Sequence, residues 1–252
     1  LEPLAAARQF LNESSHDGPD ENIRAGFLRA SDLMHSAISS FADEEDLQAA
    51  YISALRSARK YCRAQEALFS LCDVIPEVNR YFLEPGAGLM ATPSDKTQQH
   101  ETGIIHGGSS SHPHARGGYS LYIPENYAPE RSWPLVVALH GGYSHGRDFI
   151  WSWLREARSR GFFIFAPTSQ AMTWSISNIE VDERPLNRHL DQVCSRFHID
   201  RSRVLLTGMS DGGTFALAMG MSGNSVYQNI APLSCVLPPV DLRCAKGKRI
   251  LW

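Results

Sequence analysis

The chain has 252 residues, 43% of them hydrophobic, and a formal net charge of -3 with its basic side chains scattered. That length holds one large α/β domain, or a small domain beside a larger one, and the charge gives no electrostatic basis for binding nucleic acid or an anionic membrane surface. No apolar run approaches the ~20 residues that cross a bilayer, and Leu1 to Arg8 lack the basic start and apolar core of a leader, so a soluble, cytoplasmic protein is the default expectation. The cysteines Cys62, Cys72, Cys194, Cys235 and Cys244 show no Cys-x-x-Cys spacing, which argues against zinc and for packed thiols. A Cys235–Cys244 pair is the alternative in an oxidising compartment.

Residues 1–83 read as a small helical region. One apolar stripe runs Ile23, Phe27, Ala30, Met34, Ile38, Phe41, and a second runs Leu47, Ala50, Ala54, Ala58, Tyr61. Asp20 and Asp43 stand where a capping carboxylate accepts free helix amides, with Asp46 three residues after the latter. Residues 84–116 change character, with Glu84-Pro-Gly-Ala-Gly and Gly107-Gly-Ser-Ser-Ser-His112-Pro-His114, and read as a linker or long surface loop. His106, His112 and His114 have no carboxylate or cysteine at ligand spacing, so a solvated loop is expected there and no metal.

From Gly117 strands and helices alternate. Strands are predicted at 119–123, 134–139, 162–166 and 203–207. Between them stand a helix with Phe149, Ile150, Trp153, Leu154 and Ala157 on one side, ended by Gly161, and another carrying Leu186, Leu190, Val193 and Phe197. A last helix runs from Asp211 to about Met221. Such alternation implies a doubly wound, mostly parallel sheet with helices on both faces.

Two turns carry chemistry. Strand Val204 to Thr207 runs into Gly208-Met-Ser210-Asp-Gly212-Gly213 and then a helix, the setting in which a nucleophilic serine is mounted. The serine needs a strained backbone, so its neighbours two before and two after must lack side chains, and Gly208 and Gly212 meet that need. Strand Leu135 to Leu139 ends in His140-Gly141-Gly142-Tyr143, a glycine-rich turn able to expose amides toward a developing oxyanion. The assigned donors are the amides of Asp211 and Gly142; the Asp211 side chain is expected to be incidental, facing solvent or the helix start. His140 is expected to pack behind its turn and order it, and His145, His189 and His198 to be structural too.

Ser120-Leu-Tyr-Ile-Pro124, Leu139-His140-Gly141-Gly142, Ala166-Pro167-Thr168 and Arg203 to Gly213, in this order, resemble the α/β-hydrolase superfamily, and within it the phospholipase/carboxylesterase and polyhydroxybutyrate-depolymerase-like esterases. The resemblance covers residues 117–252 and implies a serine ester hydrolase acting on a small-molecule ester without metal or organic cofactor. It places Trp174 where an aromatic pocket wall or a plain core tryptophan is equally expected. A serine peptidase of the same fold, or a non-catalytic binding protein, is the alternative.

The superfamily orders its triad serine, acid, histidine along the chain. Here all ten histidines precede Ser210, and the acids after it are Asp211 and Asp241. The next strand is read at Ile250-Leu-Trp252, with the triad acid expected beyond it. The expectation is therefore a C-terminally incomplete α/β-hydrolase domain carrying nucleophile and oxyanion turn without acid or base.

Overall fold

Leu135, Val137 and Leu139 alternate with Val136 and Ala138 along an apolar run that is buried on both faces, as a central parallel strand requires. The computed structural model describes residues 2, 5, 6, 9, 21–42, 47–87, 101–108, 112 and 115–251. Asp20, Asp43, Asp46, His114 and Trp252, named above, lie outside these. The chain divides into two compact units, Leu1–Leu83 and Glu84–Trp252.

The first unit holds helices α1 (Glu21–Ala42), α2 (Leu47–Phe69) and α3 (Pro76–Tyr81). α1 and α2 run antiparallel, since Ser36 meets Lys60 while Ser40 meets Ser53. Their buried residues are Ala30, Ser31 and Ala37 on α1 and Ser53, Ser57, Ala64 and Gln65 on α2, all but the last small. The first apolar stripe shares Ala30 with this face and is half-buried at Ile23, Phe27 and Met34, while Ile38 and Tyr61 are exposed. Small side chains let two helix backbones approach, and a serine counted as polar hides that face from an apolar periodicity.

The second unit is a seven-stranded sheet of order β1-β2-β4-β3-β5-β6-β7. Its strands are β1 (Gly103–Gly107), β2 (Tyr119–Ile123), β3 (Trp133–Leu139), β4 (Phe163–Pro167), β5 (Ile199–Met209), β6 (Asn229–Leu233) and β7 (Arg249–Ile250). β2 pairs antiparallel with β1 and β4, and the remaining strands are parallel. Strand β1 falls within the span read as linker, where five residues flanked by glycines give little apolar signal. Strand β6 also escapes the sequence reading, because Asn229 and Pro232 disfavour a strand. It is held by its parallel partners, so β7 is the second strand after the Ser210 turn, not the next.

Helices α6 (Glu180–Arg196) and α7 (Asp211–Gly220) bury Leu186, Leu190, Val193, Phe215, Ala216 and Met219 in one core with Leu121, Leu135, Val137, Phe165 and Leu206. The segment between β3 and β4 is predicted as one helix but breaks into α4 (Gly146–Phe149), a 3-10 turn at Ile150–Ser152 and α5 (Leu154–Arg160). A 3-10 turn advances three residues per turn, which rephases the helix so that Ile150, Trp151, Leu154 and Ala157 are all buried. Gly161 ends α5 at φ 71, the left-handed stop expected of it. This strand order, mixed edge and pair of helical layers are those of an α/β-hydrolase-type fold.

Candidate functional site

Register brings the two turns together. Leu139 is opposite Gly208 in the parallel β3–β5 pair, so the chain leaves both strands side by side at their C-terminal ends, where open α/β sheets bind ligands. β4 on one side and β6 on the other add the loops beginning at Thr168 and Ser234.

Ser210 stands at the apex of its turn with φ 55 and ψ -120, a conformation that L-residues avoid. The turn has no space for larger neighbours. A methyl group on Gly208 would lie 2.4 Å from the Gly212 carbonyl, and one on Gly212 2.3 Å from the Leu139 oxygen. Backbone hydrogen bonds from Ser210 N to Leu233 O (2.9 Å) and from Thr214 N to Ser210 O (2.9 Å) hold it. The Ser210 side chain is exposed and makes no hydrogen bond among the described residues.

Gly141 lies against this serine: a methyl on it would sit 3.7 Å from Ser210 Cβ, and one on Gly142 2.5 Å from Asp211 Oδ2. Neither the Gly142 nor the Asp211 amide donates a hydrogen bond among the described residues, and Asp211, in the first turn of α7, has no intrahelical acceptor. Tyr143, at φ 58, donates its amide to Met172 O (2.8 Å). Two free amides thus flank an exposed serine.

The histidines are engaged elsewhere. His140 is fully buried, and its Nε2 accepts from the Ser169 amide (3.1 Å), so the proton sits on Nδ1, which donates to Gly141 O at 2.7 Å. That leaves no lone pair to take a proton from Ser210. His145 donates from Nε2 to Ala115 O, His189 from Nε2 to Gly117 O, and His198 from Nδ1 to Pro129 O. His106, on β1, shares a hydrogen bond with Ser120 Oγ. Among the described residues no three metal-capable side chains form a group, and Cys194, Cys235 and Cys244 are free thiols. Burial pushes the Cys194 thiol above its ordinary pKa.

Asp241 opens a 3-10 turn at Leu242–Ala245 and binds Arg243 through both carboxylate oxygens, which hold it below the usual aspartate range. It is exposed and committed to that neighbour.

The Asp211 side chain corrects the sequence reading. It is half-buried, and its Oδ2 accepts from Thr173 Oγ1 at 2.6 Å, facing the Gly141–Gly142 turn instead of solvent. Trp174 is 3% exposed, stacks on Phe215 at 5.0 Å and donates from Nε1 to His140 O at 2.7 Å; it is a core residue that ties two turns, not an open wall.

Apart from Thr168 and Trp174, sequence reasoning passes over the 168–176 loop that does this tying. Asp182, 3% exposed on α6, accepts from the amides of Gln170 (2.7 Å) and Ser175 (2.8 Å). Arg116 donates to Ser169 Oγ, Ser169 O and Ser144 O. The only signal for these is a Ser/Thr/Gln-rich stretch after a strand, common to many loops. Replacing Asp182 by alanine removes the shared acceptor of two part-buried loop amides and is expected to cost about 1–3 kcal/mol, read as a lower urea midpoint at unchanged slope.

No helix of the described residues is long and apolar enough to cross a membrane. No protein-family model matches the chain. Over 114 residues it is 32% identical to the bifunctional acetylxylan esterase/xylanase XynS20E of Neocallimastix patriciarum, covering 42% of this chain and 16% of that protein. Among solved structures it is similar to the acetyl xylan esterase from Aspergillus awamori, at 18% identity and TM-score 0.45 over 53% of this chain and 52% of the other. It is also similar to the fluorophosphonate-binding serine hydrolase F of Staphylococcus aureus, at 16% identity and TM-score 0.43 over 53% of this chain and 56% of that one. The chain thus spans less than two thirds of each of these proteins.

Proposed function

From a domain of α/β-hydrolase-type fold, we propose that the whole protein is a serine hydrolase of carboxylic esters, with Ser210 as nucleophile and the amides of Gly142 and Asp211 as oxyanion donors. The observation that carries this is the left-handed Ser210, exposed between glycines with no room for a side chain and beside two undonated amides. That strain has no packing purpose, since a serine in an ordinary helix start adopts extended backbone. Attack by Oγ on the ester carbonyl forms a tetrahedral intermediate whose oxygen takes the two amides. Its collapse expels the alcohol, and water then releases the acid.

His140, His145, His189 and His198 each hold a backbone carbonyl, so the base and its acid partner are assigned to other residues, outside those described. The likeness to a protein named as an acetylxylan esterase favours small acyl groups on a carbohydrate alcohol over phospholipid or long-chain esters.

Covalent labelling tests the assignment. A fluorophosphonate probe is expected to phosphonylate the whole protein at Ser210, fluoride leaving, with the modified peptide identified by mass spectrometry. Labelling at another serine, or none, would refute it.

A further inference from the structure

Beside the candidate oxyanion donors stands a negative charge that the proposed chemistry does not use. Asp211 Oδ2 receives the Thr173 hydroxyl at 2.6 Å and faces Gly142 so closely that a methyl there would be 2.5 Å away. The carboxylate accepts no other hydrogen bond among the described residues, which leaves Oδ1 as an unused acceptor at the edge of the site. Thr173 itself is placed by neighbours on both sides, Met172 O taking the Tyr143 amide and Trp174 Nε1 binding His140 O. The side chain position is therefore set by the fold.

Among the described residues no cation is in ion-pair contact with this carboxylate; Arg116, in the same loop cluster, reaches Ser144 O and Ser169. Tyr143, Met172, Met209 and Leu233, each adjacent in sequence or by hydrogen bond to the turns, are large, apolar and at least 45% exposed. A substrate seated on Ser210 meets an apolar rim and one fixed carboxylate.

We propose that the Asp211–Thr173 pair sets substrate specificity: it rejects esters carrying a negative charge near the scissile bond and accepts neutral esters that bear a hydroxyl donor. This rests on the reading of Ser210 as nucleophile. An anionic group brought within several ångströms of a half-buried carboxylate is repelled even under partial screening. A hydroxyl at the same place donates to Oδ1, a charge-assisted bond. Asp211 thus supplies a backbone donor and a charge filter from one residue, and Thr173 is the positioning residue that holds the filter.

The test measures kcat/KM of the whole protein for matched neutral and anionic esters. p-Nitrophenyl butyrate and mono-p-nitrophenyl glutarate differ on the acyl side; phenyl acetate and 4-acetoxybenzoate differ on the alcohol side. In Asp211→Asn, which keeps the backbone amide and an acceptor for Thr173, the anionic-to-neutral ratio should rise about tenfold in at least one pair, and the wild-type ratio should rise with added salt. Thr173→Val should raise the ratio less, and Thr173→Ser should restore it. A general loss of oxyanion stabilisation lowers both members of a pair alike and leaves the ratio unmoved. If Ser210→Ala abolishes turnover while Asp211→Asn leaves both ratios at the wild-type value, the charge filter is overturned and the nucleophile stands. If Ser210→Ala retains turnover, both fall together.

Discussion

Replacing Ser210 by alanine is expected to lower kcat of the whole protein toward p-nitrophenyl acetate by about 10⁶-fold, the scale seen when a triad serine is removed elsewhere. The same substitution in residues 1–252 alone is expected to change nothing measurable. The difference is the test of where the base lies. In this chain Ser210 Oγ has no hydrogen-bond partner among the described residues, and the buried His140 uses one nitrogen to accept from Ser169 and the other to donate to Gly141. A hydroxyl without a base is a poor nucleophile at neutral pH. A serine-dependent rate in residues 1–252 would require one of the earlier histidines to reach Ser210.

The second large effect concerns stability. Gly212→Ala is expected to destabilise the second unit by about 3 kcal/mol or more, because its methyl would meet the Leu139 and His140 oxygens at 2.3 and 2.4 Å. These are backbone atoms at the end of a central strand, so no rotamer change relieves the clash. For a unit of this size that corresponds to a midpoint lower by about 6–12 °C in thermal unfolding followed by circular dichroism. Gly223→Ala, with nothing within 4 Å, is the matched control and should leave the stability within about 0.5 kcal/mol of wild type. Equal midpoints for the two variants would show that the Ser210 turn is looser than its geometry indicates.

What the sequence made legible follows from how local each feature is. β3 and β5 are apolar runs that need no partner to be recognised, and the glycines around Ser210 are required by the turn itself. β6 has its strand conformation imposed by β5 and β7, against Asn229 and Pro232. The buried residues of α1 and α2 are mostly alanines and serines, whose burial depends on the approach of a second helix. Asp211 presents the sharpest case: position alone assigns its amide, but the partner of its side chain, Thr173, lies 38 residues earlier and is brought near by the β4–β3–β5 order. Asp182 is unread for the same reason, since a carboxylate on a helix face gives no sign that two loop amides will find it.

Tyr143, Ser210 and Ser234 are the non-glycine residues with positive φ among those described, at 58, 55 and 47, and each lies just past the end of β3, β5 or β6. Each such conformation costs on the order of 1–3 kcal/mol, which the packed strands behind it must offset. Selection for a sturdier domain and selection for a working one therefore pull against each other at these three positions. Glycine at 143 or 234 would relax the backbone, and would also let the loops that frame Ser210 wander. The sheet beneath them serves partly as a counterweight, and its margin of stability sets how much distortion the rim can retain.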